Sequence, residues 1–477
     1  MDGGDTVKRQ MLKIMNQVFT SKRPPKAWLI TKMVPIPKKG DLTKVANHRG
    51  IALMSAVAKL YNRCILNRLR ECMENLLSDY QAGFRRGRST REQIHILRRL
   101  IEGADDKRLE LAITFVDFAK AFDSLYRPYM WAVLRAYGVP HDIVEAIKCL
   151  YTGNVCQIKL PNQTLSREVP IETGVLQGGT LVPYFIIVVL DYALSKTRLP
   201  GFGFVTHKAT SNRRGLRSGS HESKVIHDLA FADDIALIDT IPQQADAHLK
   251  SLEQATQPTG LRISSAKTEW MRVGTCAEGK IQLQGHPINN VKVFKYLGSM
   301  IPATPDPMED FRHRYRKATN VFWTLSKVWR AKISLKLKYN LWRATVVSIL
   351  GYGAETWVLT PYILKRCDTF QRRSLRIMLG IHWEEHVTTD ELWKRVKAEM
   401  KAPESLSETL SQRQKRWLGH VLRSSHSTIK QYALWEPTHG KRKQGHPRTS
   451  FLQAYRKHTH TQHTEPQLRQ MALDREI

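Results

Sequence analysis

Three aspartates in this chain have the setting that phosphate chemistry requires. The run Ile113-Thr114-Phe115-Val116-Asp117 is β-branched and aromatic, so it reads as a strand that delivers Asp117 at its end, with Lys120, Phe122 and Asp123 on the following turn. Further on, Leu229-Ala230-Phe231-Ala232 and Ile235-Ala236-Leu237-Ile238 bracket the adjacent pair Asp233-Asp234. Apolar runs this short around a polar pair read as a hairpin. Two neighbouring carboxylates inside an apolar hairpin oppose each other's ionisation, a cost that a bound divalent cation removes. Nucleotidyl transfer uses such an arrangement: one Mg2+ lowers the pKa of the attacking hydroxyl and a second grips the triphosphate. Mg2+ prefers a few carboxylates plus phosphate oxygens to an all-protein cage.

The elements that must hold these residues follow from periodicity. Strand-like segments at 111–116, 229–232 and 235–238 alternate with helical ones at 129–137, 143–151 and 243–256, an α+β pattern. Thr90 and Gln93 form a capping-box-like start for a helix carrying Ile94, Leu97 and Ile101, directly after Arg85, Arg86 and Arg88. The stretch Met33-Val34-Pro35-Ile36-Pro37-Lys38-Lys39-Gly40 reads as extended chain leading into a basic turn. Beyond residue 301 strand signals fade, and Ala318, Val321, Phe322, Leu325, Val328 and Trp329 trace one helical face. Residues 440–448 read as a basic linker, and the end bearing His458, His460 and His463 as a solvated tail.

Composition narrows the partners. The 477 residues carry 75 Lys+Arg against 43 Asp+Glu, a net charge of +32, with 42% hydrophobic residues and 11 Trp. A folded chain with that excess calls for a polyanion, nucleic acid before an anionic membrane surface, because phosphate neutralisation releases counterions. The most apolar stretch, 185–190, is far too short to span a bilayer, and the first residues have no signal-peptide core. The six cysteines include no Cys-x-x-Cys pair, as expected for reduced thiols in the nucleus and cytoplasm.

Further motifs along the chain resemble the reverse transcriptases of LINE-type (non-LTR) retrotransposons. Asn47-His48-Arg49-Gly50-Ile51-Ala52-Leu53 and Gln81-Ala82-Gly83-Phe84-Arg85-Arg86-Gly87-Arg88-Ser89-Thr90 are similar to the family's finger blocks, and the Asp117 and Asp233-Asp234 segments to its catalytic motifs. Gly174-Val175-Leu176-Gln177-Gly178-Gly179-Thr180-Leu181-Val182-Pro183 resembles its Gln-Gly motif. Lys267-Thr268-Glu269 resembles the next palm motif and Phe294-Lys295-Tyr296-Leu297-Gly298 the primer-grip hairpin; the blocks at 351–357, 372–380 and 416–420 resemble those that follow the polymerase core.

The resemblance implies an α+β right-hand polymerase: fingers and palm over 1–300, an all-helical thumb over 301–400 and a basic C-terminal region over 401–477. Asp117, Asp233 and Asp234 would bind two Mg2+ ions, with Mn2+ as substitute, and Lys267 would serve as general acid for the departing pyrophosphate. Arg49 with Lys38 or Lys39 would hold the triphosphate. Phe122 would exclude a 2′-hydroxyl and thereby favour dNTPs, which also disfavours an RNA-directed RNA polymerase. Gln177 and Gly178 would lie against the nascent base pair, with Gly178 leaving room where a Cβ would obstruct. Arg85, Arg86, Arg88, Tyr296, Leu297 and Gly298 would contact an RNA template and a DNA primer or target, and no membrane is expected.

Val182 stands where the family usually has Ser and Gly179 where it has Cys or Asp, and the family's usual Asn at or beside Ser264 is missing. No endonuclease domain precedes the fingers, so the chain reads as N-terminally truncated, and a catalytically decayed nucleic-acid-binding derivative is the alternative. His382-Trp383-Glu384-Glu385-His386 fits a zinc-peptidase pattern, but no downstream acidic ligand accompanies it.

Overall fold

The computed structural model describes residues 4–38, 40–160, 163–207, 224–401, 403–437, 439–443, 449–459 and 463–473. Lys39, His460 and residues 444–448 of the basic linker therefore lie outside the described residues.

The expected α+β pattern becomes a five-stranded sheet in the order Asn289–Asn290, Glu269–Gly274, Glu110–Val116, Asp234–Asp239, Asp228–Phe231. The central strand Glu110–Val116 is antiparallel to both neighbours and buried on both faces, which is why it reads as a continuous apolar run. Leu111, Ile113 and Phe115 meet Ile94, Leu97 and Ile101 of the helix Thr90–Asp106 on one side. Ala112 and Val116 share the other side with Leu249 and Leu252 of the helix Pro242–Thr256 and with the helix Val182–Thr197, whose residues 185–190 are wholly buried.

A second sheet runs His48–Leu53, Ile30–Pro37, Val155–Ile158, Val169–Pro170. Pro35 and Pro37 are tolerated because the third strand pairs only with Ile30 to Met33, so no ladder bond needs the missing N–H groups.

After residue 301 the described chain is helical around a third apolar core. The expected single helix through Trp329 is broken at Leu325 into Pro307–Thr324 and Ser326–Arg330. The Trp329 indole stacks on Phe322 and donates to the Phe322 carbonyl at 2.6 Å, folding the second segment back. Of the tryptophans in this half, Trp329, Trp342, Trp357, Trp417 and Trp435 are buried and Trp393 half-buried, while Trp323 and Trp383 are exposed.

The end behind the basic linker differs from the solvated tail expected of it, since Phe451, Leu452 and Tyr455 are buried, and the region before the linker packs with it. Trp417, Ile429, Tyr432, Trp435, Phe451, Leu452 and Tyr455 join the core beneath the sheet, covering the outer side of the helix Thr90–Asp106. His95 meets the Ala433 carbonyl at 2.8 Å, Arg99 donates to the Trp435 carbonyl at 2.7 Å, and a Cβ on Gly103 would come within 2.6 Å of the Trp435 ring. Aromatic residues scattered among many charges show no periodicity, so only the contact reveals this face. No helix among the described residues is long and apolar enough to cross a membrane.

Candidate active site

Asp117 is the first residue past the central strand, and the pairing of Val116 with Ile235 sets it beside the Asp233-Asp234 turn. Phe231 pairs with Asp234, so Ala232 and Asp233 alone form the turn, with Ala232 in the left-handed region at φ +57°. The Asp234 carboxyl is pushed up to about 6 by desolvation first and then by the charges of Asp233 and Asp117. Asp233 is raised by desolvation and by Asp117, against the pull of its own backbone and of Arg49.

The third carboxylate already has a cation: Lys267 Nζ lies 3.1 Å from Asp117 Oδ2. The segment carrying Lys267 wraps the strand end. Ala119 N donates to the Arg262 carbonyl at 2.8 Å, Ser264 N to the Asp117 carbonyl at 2.8 Å, and Asp117 N to Thr268 Oγ1 at 3.3 Å. Ser264 thus ties this loop through its backbone. Among the described residues no three His, Cys, Asp or Glu side chains stand close enough to enclose an ion as they are. The donor set is nonetheless all carboxylate oxygen, and such a set suits a hard divalent cation.

The cleft rim brings most of the other expected residues together. Exposed Arg49 stands on the strand His48–Leu53, near enough to lower the Asp233 pKa. The Lys38 amide donates to the Asn47 carbonyl at 2.7 Å, closing the basic turn next to it. Half-buried Phe122 sits on the short helix Ala121–Ser124, and its carbonyl accepts from Val175 N at 2.7 Å, which joins it to the Gln177 loop. The Gln177 carbonyl accepts from Ala52 N at 2.7 Å. Gly178 has φ +113°, and a Cβ there would stand 2.7 Å from the Ala52 carbonyl oxygen. Its glycine is therefore demanded by the chain's own strand, before any base pair is considered.

Three readings need correction, those of Arg85, Arg88 and Tyr296. Arg85 and Arg88 do not face nucleic acid. Arg85 turns inward to Glu74 at 2.8 Å and to the carbonyls of Leu77, Ser78 and Gln81, and the Arg88 side chain is only 4% exposed, on Asp79. Arg86 alone of the three is exposed. Tyr296 is likewise a core residue, 2% exposed, with its hydroxyl donating to the Leu229 carbonyl. The hairpin of Val293–Tyr296 and Ser299–Pro302 does form, turning at Leu297 (φ +46°) and Gly298 (φ +85°), but its tip carbonyls are taken by Tyr352 and Arg314. His382 to His386 contains only a three-residue 3-10 turn, with His386 left-handed, so no helical face presents two histidines. Sequence reasoning missed Thr268 and Gln81 as supports of the aspartates; their only signal was adjacency to Lys267 and to the Ala82-Gly83 pair.

Residues 36–301 match the family described as "Reverse transcriptase (RNA-dependent DNA polymerase)". The chain is similar to the "Retrovirus-related Pol polyprotein from type-1 retrotransposable element R2" of Popillia japonica, 25% identical over 369 residues, covering 75% of this chain and 48% of that protein. It is also similar to the "RNA-directed DNA polymerase from mobile element jockey" of Drosophila melanogaster, 24% identical over 390 residues, covering 78% and 40%. Among solved structures, a telomerase from Candida albicans aligns at a TM-score of 0.42 and 12% identity, covering 88% of this chain and 68% of that one. The chain spans about half or less of the length of these curated relatives. Since the matched segment takes in both aspartate motifs and more than half of the residues, the chain belongs to the reverse transcriptase family.

Proposed function

We propose that this chain is an RNA-directed DNA polymerase of the non-LTR retrotransposon type, adding dNTPs to a DNA primer on an RNA template with release of pyrophosphate. The observation that carries the reading is the cluster at the end of the central sheet: the pairing of Val116 with Ile235 sets Asp117 beside the Asp233-Asp234 turn, with Lys267 Nζ 3.1 Å from Asp117 Oδ2.

Reverse transcriptases generally use divalent metal ions. Here Asp117, Asp233 and Asp234 would hold two Mg2+ ions, with Mn2+ as substitute. When bound, these ions supply a lowered pKa at the primer 3′-hydroxyl and charge neutralisation at the triphosphate. The chain's own residues do the rest. Arg49 grips phosphate oxygens bidentately, and Lys38, with Lys39 beside it, adds point charge. Lys267 exchanges its carboxylate partner for the leaving pyrophosphate oxygen and donates a proton there. Phe122 bars the 2′-hydroxyl, while Gln177 and Gly178 line the nascent pair. In this reading residues 1–300 are fingers and palm, 301–400 the thumb and 401–477 a basic C-terminal region, acting on RNA and DNA in the nucleus and cytoplasm.

The test is primer extension on poly(rA)/oligo(dT) with dTTP and Mg2+, comparing wild type with Asp233→Ala. Extension that vanishes in the variant supports the polymerase. Salt-sensitive binding of the hybrid without extension by wild type would transfer the reading to a decayed nucleic-acid-binding derivative.

A further inference from the structure

The Ala232-Asp233 turn carries a cost that something must offset. A two-residue hairpin turn demands positive φ, for which glycine is usual, yet position 232 is alanine at φ +57°, a conformation that costs an L-residue about 1–2 kcal/mol. The support comes from a loop about 150 residues away in sequence.

Gln81, fully buried, places Oε1 at 2.9 Å from Ala232 N, and its Nε2 donates to the Ala232 carbonyl at 3.4 Å. Its side-chain amide thus engages both backbone polar groups of the strained residue. Gly83 N donates to the same Oε1 at 2.9 Å, so two N–H donors fix which end of the amide is oxygen. The loop lies directly against the turn: Ala82 N donates to the Ala230 carbonyl at 2.8 Å, and a Cβ on Gly83 would come within 2.2 Å of Ala232 N. Behind it, Arg85 holds the carbonyls of Ser78 and Gln81, and Gln93 those of Tyr80 and Ala230. The inward arginine is therefore scaffolding for this contact.

We infer that Gln81 is a positioning residue for the reaction: by clamping the backbone of Ala232 it sets where Asp233 and Asp234 stand relative to Asp117. It touches neither substrate nor the aspartate side chains, and its functional consequence rests on the polymerase reading above.

The test uses the full chain with Gln81→Met, which keeps the shape and loses the bonds, Gln81→Glu, which keeps the two accepted bonds, and Gln81→Met combined with Ala232→Gly. Hydrogen exchange of peptides covering 228–239, with 90–106 as control, reports the turn directly; Mg2+ titration of primer extension reports its use. In Gln81→Met, exchange at the turn is expected to quicken on the order of tenfold with the control unchanged. The Mg2+ concentration for half-maximal rate is expected to rise by a similar factor, since small displacements of reacting groups cost on the order of tenfold to a hundredfold. Ala232→Gly, which adopts the left-handed turn without strain, is expected to recover part of the loss, a rescue that general destabilisation would not show. Unchanged exchange at the turn in a folded Gln81→Met overturns the inference. Should that variant loosen the control helix too, Gln81→Glu decides: turn protection near wild type supports the clamp, and exchange as fast as in Gln81→Met overturns it. If wild type extends no primer, the polymerase reading fails while exchange still decides the clamp.

Discussion

Replacing Asp310 with asparagine should cut the helical half of the chain loose from the sheet. Its side chain is 4% exposed and takes charge-assisted bonds from Arg98 at 2.8 Å, with further bonds from Met300 N at 2.9 Å and the Trp357 indole at 2.9 Å. One carboxylate thus ties together the helix Thr90–Asp106, the hairpin that turns at Leu297 and Gly298, and the helical core. Breaking a buried ion pair from one side costs about 3–5 kcal/mol. Arg98 keeps a bond to Thr356 Oγ1 at 2.8 Å, and asparagine keeps one acceptor, so the loss should fall near the low end, about 3 kcal/mol. The pH dependence follows from the same contacts. Burial pushes this carboxyl up, but Arg98 and the donated bonds outweigh it and hold it below 3.8. A depressed acid contributes stability above its unfolded pKa and loses it as pH falls through the folded value. Urea unfolding of wild type and Asp310→Asn at pH 7.5 and below about pH 4 would show the gap and its closure. A loss under about 1 kcal/mol at pH 7.5, or a gap unchanged in acid, would refute the reasoning.

Asp234→Asn is expected to stabilise the chain without divalent ions at pH 8 and not at pH 4, because a raised acid costs stability only once ionised. Since Asp234 is open to solvent, the gain in thermal melting should stay at roughly 1 kcal/mol or less. Lys267→Met should lower the single-turnover rate of extension about a hundredfold or more with little change in dNTP affinity; a fall under about threefold removes it from acid catalysis. Arg86→Ala should reduce the salt dependence of hybrid binding by about one ion, whereas Arg85→Ala should leave that slope alone and cost about 3 kcal/mol in unfolding. Phe122→Val should raise ribonucleotide incorporation about tenfold or more relative to dNTPs in competition assays.

What the sequence determined by itself was local. Alternating apolar runs placed Asp117 at a strand end, Asp233 and Asp234 on a tight hairpin, and a helix over Thr90–Asp106, because period and turn chemistry are written in neighbouring residues. The tertiary structure decided what each charge and ring would meet. Lys267 finds Asp117 across 150 positions, Arg85 turns from the expected nucleic-acid face to the carbonyls beneath Gln81, and Tyr296 goes inward to Leu229. Gly178 is required by Ala52, and Gly103 by Trp435, which lies in the region read only as basic. A guanidinium is buried only when acceptors surround it on several sides, and a glycine is obligatory only when another backbone or ring occupies its Cβ space. Both conditions are properties of packed surfaces distant in sequence, so only the folded chain could state them.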